Sequence, residues 1–86
     1  MDLNNYKLEL DYPCLWTYKI IGSIQEDLRQ AVLDVVGELE HTLTFSNNSK
    51  TGRYLSLKLE LIVKDEKHRL SIYEGLSKHS AIKIVL

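Results

Sequence analysis

The sequence predicts a small α+β domain whose elements run strand, helix, strand, strand, helix, strand, and three observations carry that reading. Leu55, Leu57, Leu59 and Leu61 alternate with Ser56, Lys58 and Glu60, the period of a strand with one buried face. Leu28, Ala31, Val32, Val35, Val36 and Leu39 follow the i, i+3, i+4, i+7 spacing of a buried helical stripe. Between these segments the turn-forming run NNSKTG at 47–52 marks a hairpin. The 86 residues, 44% apolar and 27% charged, fit one globular core.

Each element has its own local cause. Residues 1–12 lack a sustained helical stripe and precede Pro13, which has no backbone donor and pushes Tyr12 toward extended geometry. They read as a partly ordered N-terminal arm ahead of a domain at 13–86, although the alternation of Leu8, Leu10 and Tyr12 leaves a short strand or lid open. From Leu15 to Gly22 the run LWTYKIIG is rich in β-branched and aromatic residues, with Trp16, Tyr18 and Ile20 on one face and Thr17 and Lys19 on the other. Ser23 with Glu26 three residues on forms a capping-box pattern, which predicts a helix from Ile24 to Glu40. Gly37 falls inside that span at a cost of about 1 kcal/mol of propensity relative to Ala. Thr42–Ser46 reads as the second strand and Tyr54–Val63 as its hairpin partner. Asp65 is the expected N-cap of a second helix reaching Lys78, with Ile72, Tyr73 and Leu76 inward, and Ala81–Leu86 closes the domain as a strand. Two helices on one sheet face leave the other face open.

Composition narrows the function. Eleven basic against twelve acidic residues give a net charge of -1, which argues against a nucleic-acid partner bound by bulk counterion release. No apolar run approaches the roughly 18–20 residues that span a bilayer, and no signal-peptide core precedes Asp11, so a cytoplasmic protein without a membrane partner is expected. Cys14 is the sole cysteine, and His41, His68 and His79 stand apart, so neither a disulfide, a metal site nor a cofactor is expected. A chain this short leaves little material for a deep pocket, and a ligand site should be shallow or shared with a partner.

Three stretches, YPCLWTYKIIG at 12–22, NNSKTGRYLSLKLEL at 47–61 and IKIVL at 82–86, resemble the YbeD-like family of small bacterial proteins of unknown function. The resemblance spans Tyr12 to Leu86 and implies a ferredoxin-like βαββαβ sandwich akin to ACT regulatory domains, with sheet order 4-1-3-2. It brings no catalytic residues, and it implies binding of small molecules or partner proteins. Gly22 occupies the strand-to-helix turn where ACT domains often present a glycine to an amino-acid ligand, without the Asp/Asn and Pro that commonly accompany it.

That sheet order sets Lys19, Lys58 and Lys83 on three adjacent strands at outward positions, where they could converge on an anion; the bland alternative is a solvated face with lysines pairing to Glu60. Gly22 and Ser23 could add backbone donors at a helix N-terminus, against the simpler role of a turn and cap. Tyr54 faces outward near the hairpin, placed to stack on a ligand or cover the rim. The expectation is therefore a non-catalytic regulatory or adaptor module that binds a small anionic ligand or a protein partner. The alternative is an RNA-binding domain of RRM-like topology, which would need stacking aromatics where Thr17, Lys19, Ser56 and Lys58 stand. An enzyme is not expected, since no nucleophile with a base and no paired carboxylates are readable. The two edge strands of such a sheet invite a homodimer by strand addition.

Overall fold

The structure, a computed structural model, describes residues 11–49 and 52–86. The elements are β1 (Cys14–Gly22), α1 (Gln25–Val36), β2 (His41–Asn48), β3 (Leu55–Val63), α2 (Glu66–Lys78) and β4 (Ile84–Val85). They build one antiparallel sheet of order β2-β3-β1-β4, the ferredoxin-like arrangement. Of the expected arm, residues 1–10 lie outside the described residues. Tyr12 packs against the core, and its hydroxyl oxygen accepts from Arg69 Nε at 3.0 Å.

The core lies between the sheet and the two helices. Tyr18 and Ile20 of β1 and Leu57, Leu59, Leu61 and Val63 of β3 meet Leu28, Ala31, Val32 and Val36 of α1 and Ile72 and Leu76 of α2. The alternation of β3 thus places its leucines under the helices, and the stripe of α1 closes on them. Burying these side chains is the main favourable contribution to folding, at about 25 cal/mol per Å² of apolar surface. A polar bond crosses this layer: the Tyr18 hydroxyl donates to the Arg69 carbonyl at 2.6 Å. The Arg69 guanidinium carbon sits 4.6 Å from the centroid of the Trp16 ring.

Several expected boundaries move, each for a local reason. The capping box at Ser23 does not form: α1 is capped at Ile24, without a side-chain bond to the free amides. The helix stops at Val36 because Gly37 takes φ 60° and its amide returns to the Leu33 carbonyl, so Gly37 is a terminator rather than an interior weak point. β2 is longer than its sequence shows, since Asn47 and Asn48 pair with Ser56 and Leu55 across an irregularity between Phe45 and Asn47. Asp65 caps α2 as expected, accepting from the His68 amide at 2.7 Å. Tyr73 does not join the inner face of α2; it is 46% exposed, one step round the helix from buried Ile72 and Leu76. The final strand shrinks to two residues, extended by mutual backbone bonds between Leu86 and Lys19.

Candidate functional site

The face of the sheet away from the helices is open, and the strand register fixes which side chains share it. Leu15 of β1 lies opposite Ile62 of β3; Thr17 opposes Glu60, which in turn opposes Thr42 of β2. The next rung holds Lys19 opposite Lys58, with Thr44 beyond Lys58 and Leu86 beyond Lys19. The last rung joins Asn47, Ser56, Ile21 and Ile84. The face therefore has an apolar end at Leu15 and Ile62, a polar middle, and a far end that is polar toward β2 and apolar toward β4.

Lys19 and Lys58 are directly opposed on the two central strands, a like-charge pair that disfavours the empty face. The Lys58 ammonium lies 3.7 Å from a Glu60 carboxylate oxygen. Lys19 instead borders a hollow of about 110 Å³, with Tyr54, Asn47, Ser49 and Ser56 among its other walls. Ser56 is only 3% exposed, and its hydroxyl donates to Asn47 Oδ1 at 2.7 Å, which holds the asparagine side chain at the margin. The Tyr54 amide donates to Ser49 Oγ, and the Ser49 amide to the Tyr54 carbonyl, so the hairpin closes on the residues that form the hollow. A space of that size accepts one anionic group, such as a carboxylate or phosphate, and not a whole metabolite.

Two of the sequence-predicted site residues, Lys19 and Tyr54, are thus brought together, with Lys58 opposite Lys19 on the same rung but outside the walls of the hollow. Three are not. Lys83 was expected at an outward position beside Lys19; it lies on a bend before β4, its amide donating to the Ile21 carbonyl, and the residue opposite Lys19 is Leu86. The register causes the shift: Ile84 stands opposite outward Ile21 and Val85 opposite buried Ile20, so the outward position level with Lys19 falls to Leu86 and Lys83 comes level with Gly22. Gly22 is buried, and a Cβ there would lie 2.7 Å from the Ala81 carbonyl oxygen and 2.7 Å from Leu28 Cδ2. It lets two chain segments touch, which leaves no opening for a ligand. Ser23 is exposed and caps nothing. Asn47 and Ser56 escaped the sequence reading, because only the β2–β3 pairing sets them against each other. Leu15 and Ile62 escaped it too, although apolar residues at outward positions of alternating strands were a usable signal.

The outward positions of β1 and β3 carry no aromatic side chain, so the stacking platform of an RRM is not built. Among the described residues no group of three or more His, Cys, Asp or Glu is placed to hold a metal, and no helix is long and apolar enough to cross a membrane. An Asp–His contact does exist, between Asp34 of α1 and His79 at the end of α2, at 2.9 Å. Its geometry does not suit catalysis: Nε2 faces Asp34 while Nδ1 accepts from the Ala81 amide at 3.1 Å, and no ring nitrogen remains for a nucleophile's proton.

A family model described as "Protein of unknown function (DUF493)" matches residues 7–86. A UPF0250 protein of Buchnera aphidicola subsp. Cinara cedri is 31% identical over 88 residues, covering 96% of this chain and 98% of that one. The solution structure of protein HP0495 from Helicobacter pylori superposes with a TM-score of 0.83 at 25% identity, covering 100% of this chain and 94% of that one. The ACT domain from GTP pyrophosphokinase of Chlorobium tepidum superposes with a TM-score of 0.59 at 19% identity, covering 84% and 94%, a likeness of fold. These similarities agree with the family resemblance and the sheet order read from the sequence.

Proposed function

The chain belongs to the family described as "Protein of unknown function (DUF493)", and from that premise we propose that it is a non-catalytic regulatory module that binds a small anionic ligand on its open sheet face at Lys19. The observation that carries this reading is the Lys19–Lys58 rung beside the hollow formed with Tyr54, Asn47 and Ser56. An anion seated there would relieve the like-charge opposition and accept charge-assisted hydrogen bonds from Lys19, with Tyr54 as one wall of the hollow. Support for a non-catalytic role comes from the Asp34–His79 contact, whose ring nitrogens are both engaged. The ACT domain of a GTP pyrophosphokinase shares the fold, but a shared fold does not convey function, so the weight rests on the rung and the hollow.

The test is an amide chemical-shift titration of the labelled chain with inorganic phosphate, amino acids, carboxylic acids and phosphorylated metabolites. Shifts at Lys19, Asn47, Tyr54 and Ser56 are expected for at least one anion. Lys19→Ala should weaken that binding about tenfold or more, the worth of a charge-assisted hydrogen bond. Added salt should weaken it further. Binding that ignores Lys19→Ala, or shifts elsewhere on the fold, would remove the site. Shifts produced only by an acidic peptide would replace the small ligand with a protein partner.

A further inference from the structure

The other end of the open face has a different chemistry. Leu15 and Ile62, directly opposed between β1 and β3, are 59% and 56% exposed, and Leu39, from the connection between α1 and β2, is 42% exposed. Together with Glu40, Thr42 and Glu60 they border a cleft of about 420 Å³, inside the roughly 300–1,000 Å³ range of functional clefts. The cleft is thus an apolar floor with two carboxylates on its rim and no lysine or arginine in its lining, and its one imidazole, His41, keeps Nδ1 2.7 Å from the Leu39 carbonyl oxygen. Glu38 precedes it in the same connection, and Lys58 approaches Glu60 only to 3.7 Å. Leu15 stands four residues along β1 from Lys19, about 13 Å, so this cleft and the anion hollow are separate places.

We infer that the cleft is a docking site for a basic, apolar segment of a partner protein, one that presents a leucine-like side chain next to lysine or arginine. The apolar residues give a reason for burial, and the rim carboxylates select the sign of the charge beside it. Charge also excludes the other occupants. Nucleic acid and anionic lipid surfaces would bring phosphate against Glu40 and Glu60. A second copy seated cleft to cleft would bring its own Glu40 and Glu60 into the same acidic patch. Among the described residues the outer edge of β2, where His41 and Thr42 begin the strand, has no neighbour in the sheet, so an extended segment lying in the cleft also meets backbone donors and acceptors along that edge. This inference does not depend on the anion site, since it uses none of the residues assigned to the Lys19 hollow.

The experiment titrates the full labelled chain with two ten-residue peptides, one with paired leucines flanked by lysines and one with glutamates in place of those lysines. The basic peptide is expected to shift the amides of Leu15, Leu39–Thr42 and Glu60–Ile62 and to leave Asn47 and Tyr54 unmoved. Its affinity should fall at least fivefold in Glu40→Gln/Glu60→Gln and in Leu15→Ser. Leu15 is exposed, so its replacement should leave the fold intact, which circular dichroism checks. Equal binding of the acidic peptide, no shifts in the cleft with the basic one, or unchanged affinity in both variants would overturn the inference.

Discussion

At Gly22 the backbone of β1 passes so close to the loop before β4 that even a methyl group would strike the Ala81 carbonyl oxygen, and a backbone oxygen has little room to yield. Gly22→Ala should therefore cost about 1–3 kcal/mol, as overpacking of a filled interior does. Urea unfolding would show it as a lower midpoint with an unchanged slope, and a midpoint equal to that of the parent would reopen a ligand role for the glycine. The sequence displays Gly22 only as a strand ending, because the atom that makes it necessary belongs to a residue far along the chain. Ser56 shows the same limit: alternation assigns it to the wet face, and it is on that face, yet its hydroxyl is buried against Asn47. Lys19 and Lys58 were legible as outward residues from alternation alone. Their direct opposition was not, since a one-residue slip between β1 and β3 would have separated them.

The two helices start from sequence patterns that look equally good and end up differently. Asp65 accepts from the His68 amide, whereas Ser23 is spent in the turn between Gly22, still paired with Leu55, and the helix that begins at Gln25. Asp65→Ala should accordingly destabilise the protein by about 1 kcal/mol. Ser23→Ala should stay within about 0.5 kcal/mol, as surface substitutions away from such features do. Parallel chemical unfolding of the two variants checks this, and equal losses would mean that Ser23 caps α1 in solution. Periodicity made the existence and type of β1, α1, β3 and α2 readable, because each buries a face wide enough to impose a period. The ends of β2 and β4 were not readable, since Asn47 and Asn48 have turn chemistry that pairing with β3 overrides, and β4 has only two residues held by β1.

Tyr18 ties the whole molecule together, reaching from a central strand of the sheet through the core to the backbone of α2. Burial pushes its phenol up to about 12 from 10.0, against the opposing pull of Arg69. The phenol is an acid whose neutral form the fold prefers, so its contribution to stability is complete below pH 10.0, where neither state ionises it. It is lost as pH rises toward about 12, because the unfolded chain releases the proton first. A shift of that size corresponds to about 2–3 kcal/mol by the upper end of the window. On the acid side the signs reverse: hydrogen bonds from His79 and Gln30 hold the Asp34 carboxyl below its ordinary value, and the Lys78 bond does the same for Glu74. Those contributions are present at neutral pH and fade as pH falls through the lowered values. Thermal unfolding followed by circular dichroism should thus show a plateau near neutrality with a decline at each end. In Tyr18→Phe the hydrogen bond to the Arg69 carbonyl is lost, which should cost about 1 kcal/mol at pH 7. The variant has no phenol to ionise at that position, so its alkaline decline should be shallower, and its curve should cross that of the parent between about pH 10 and pH 12. Parallel curves through that window would mean that the phenol is solvated in the folded state, and that the bond from β1 to α2 is not part of what holds sheet and helices together.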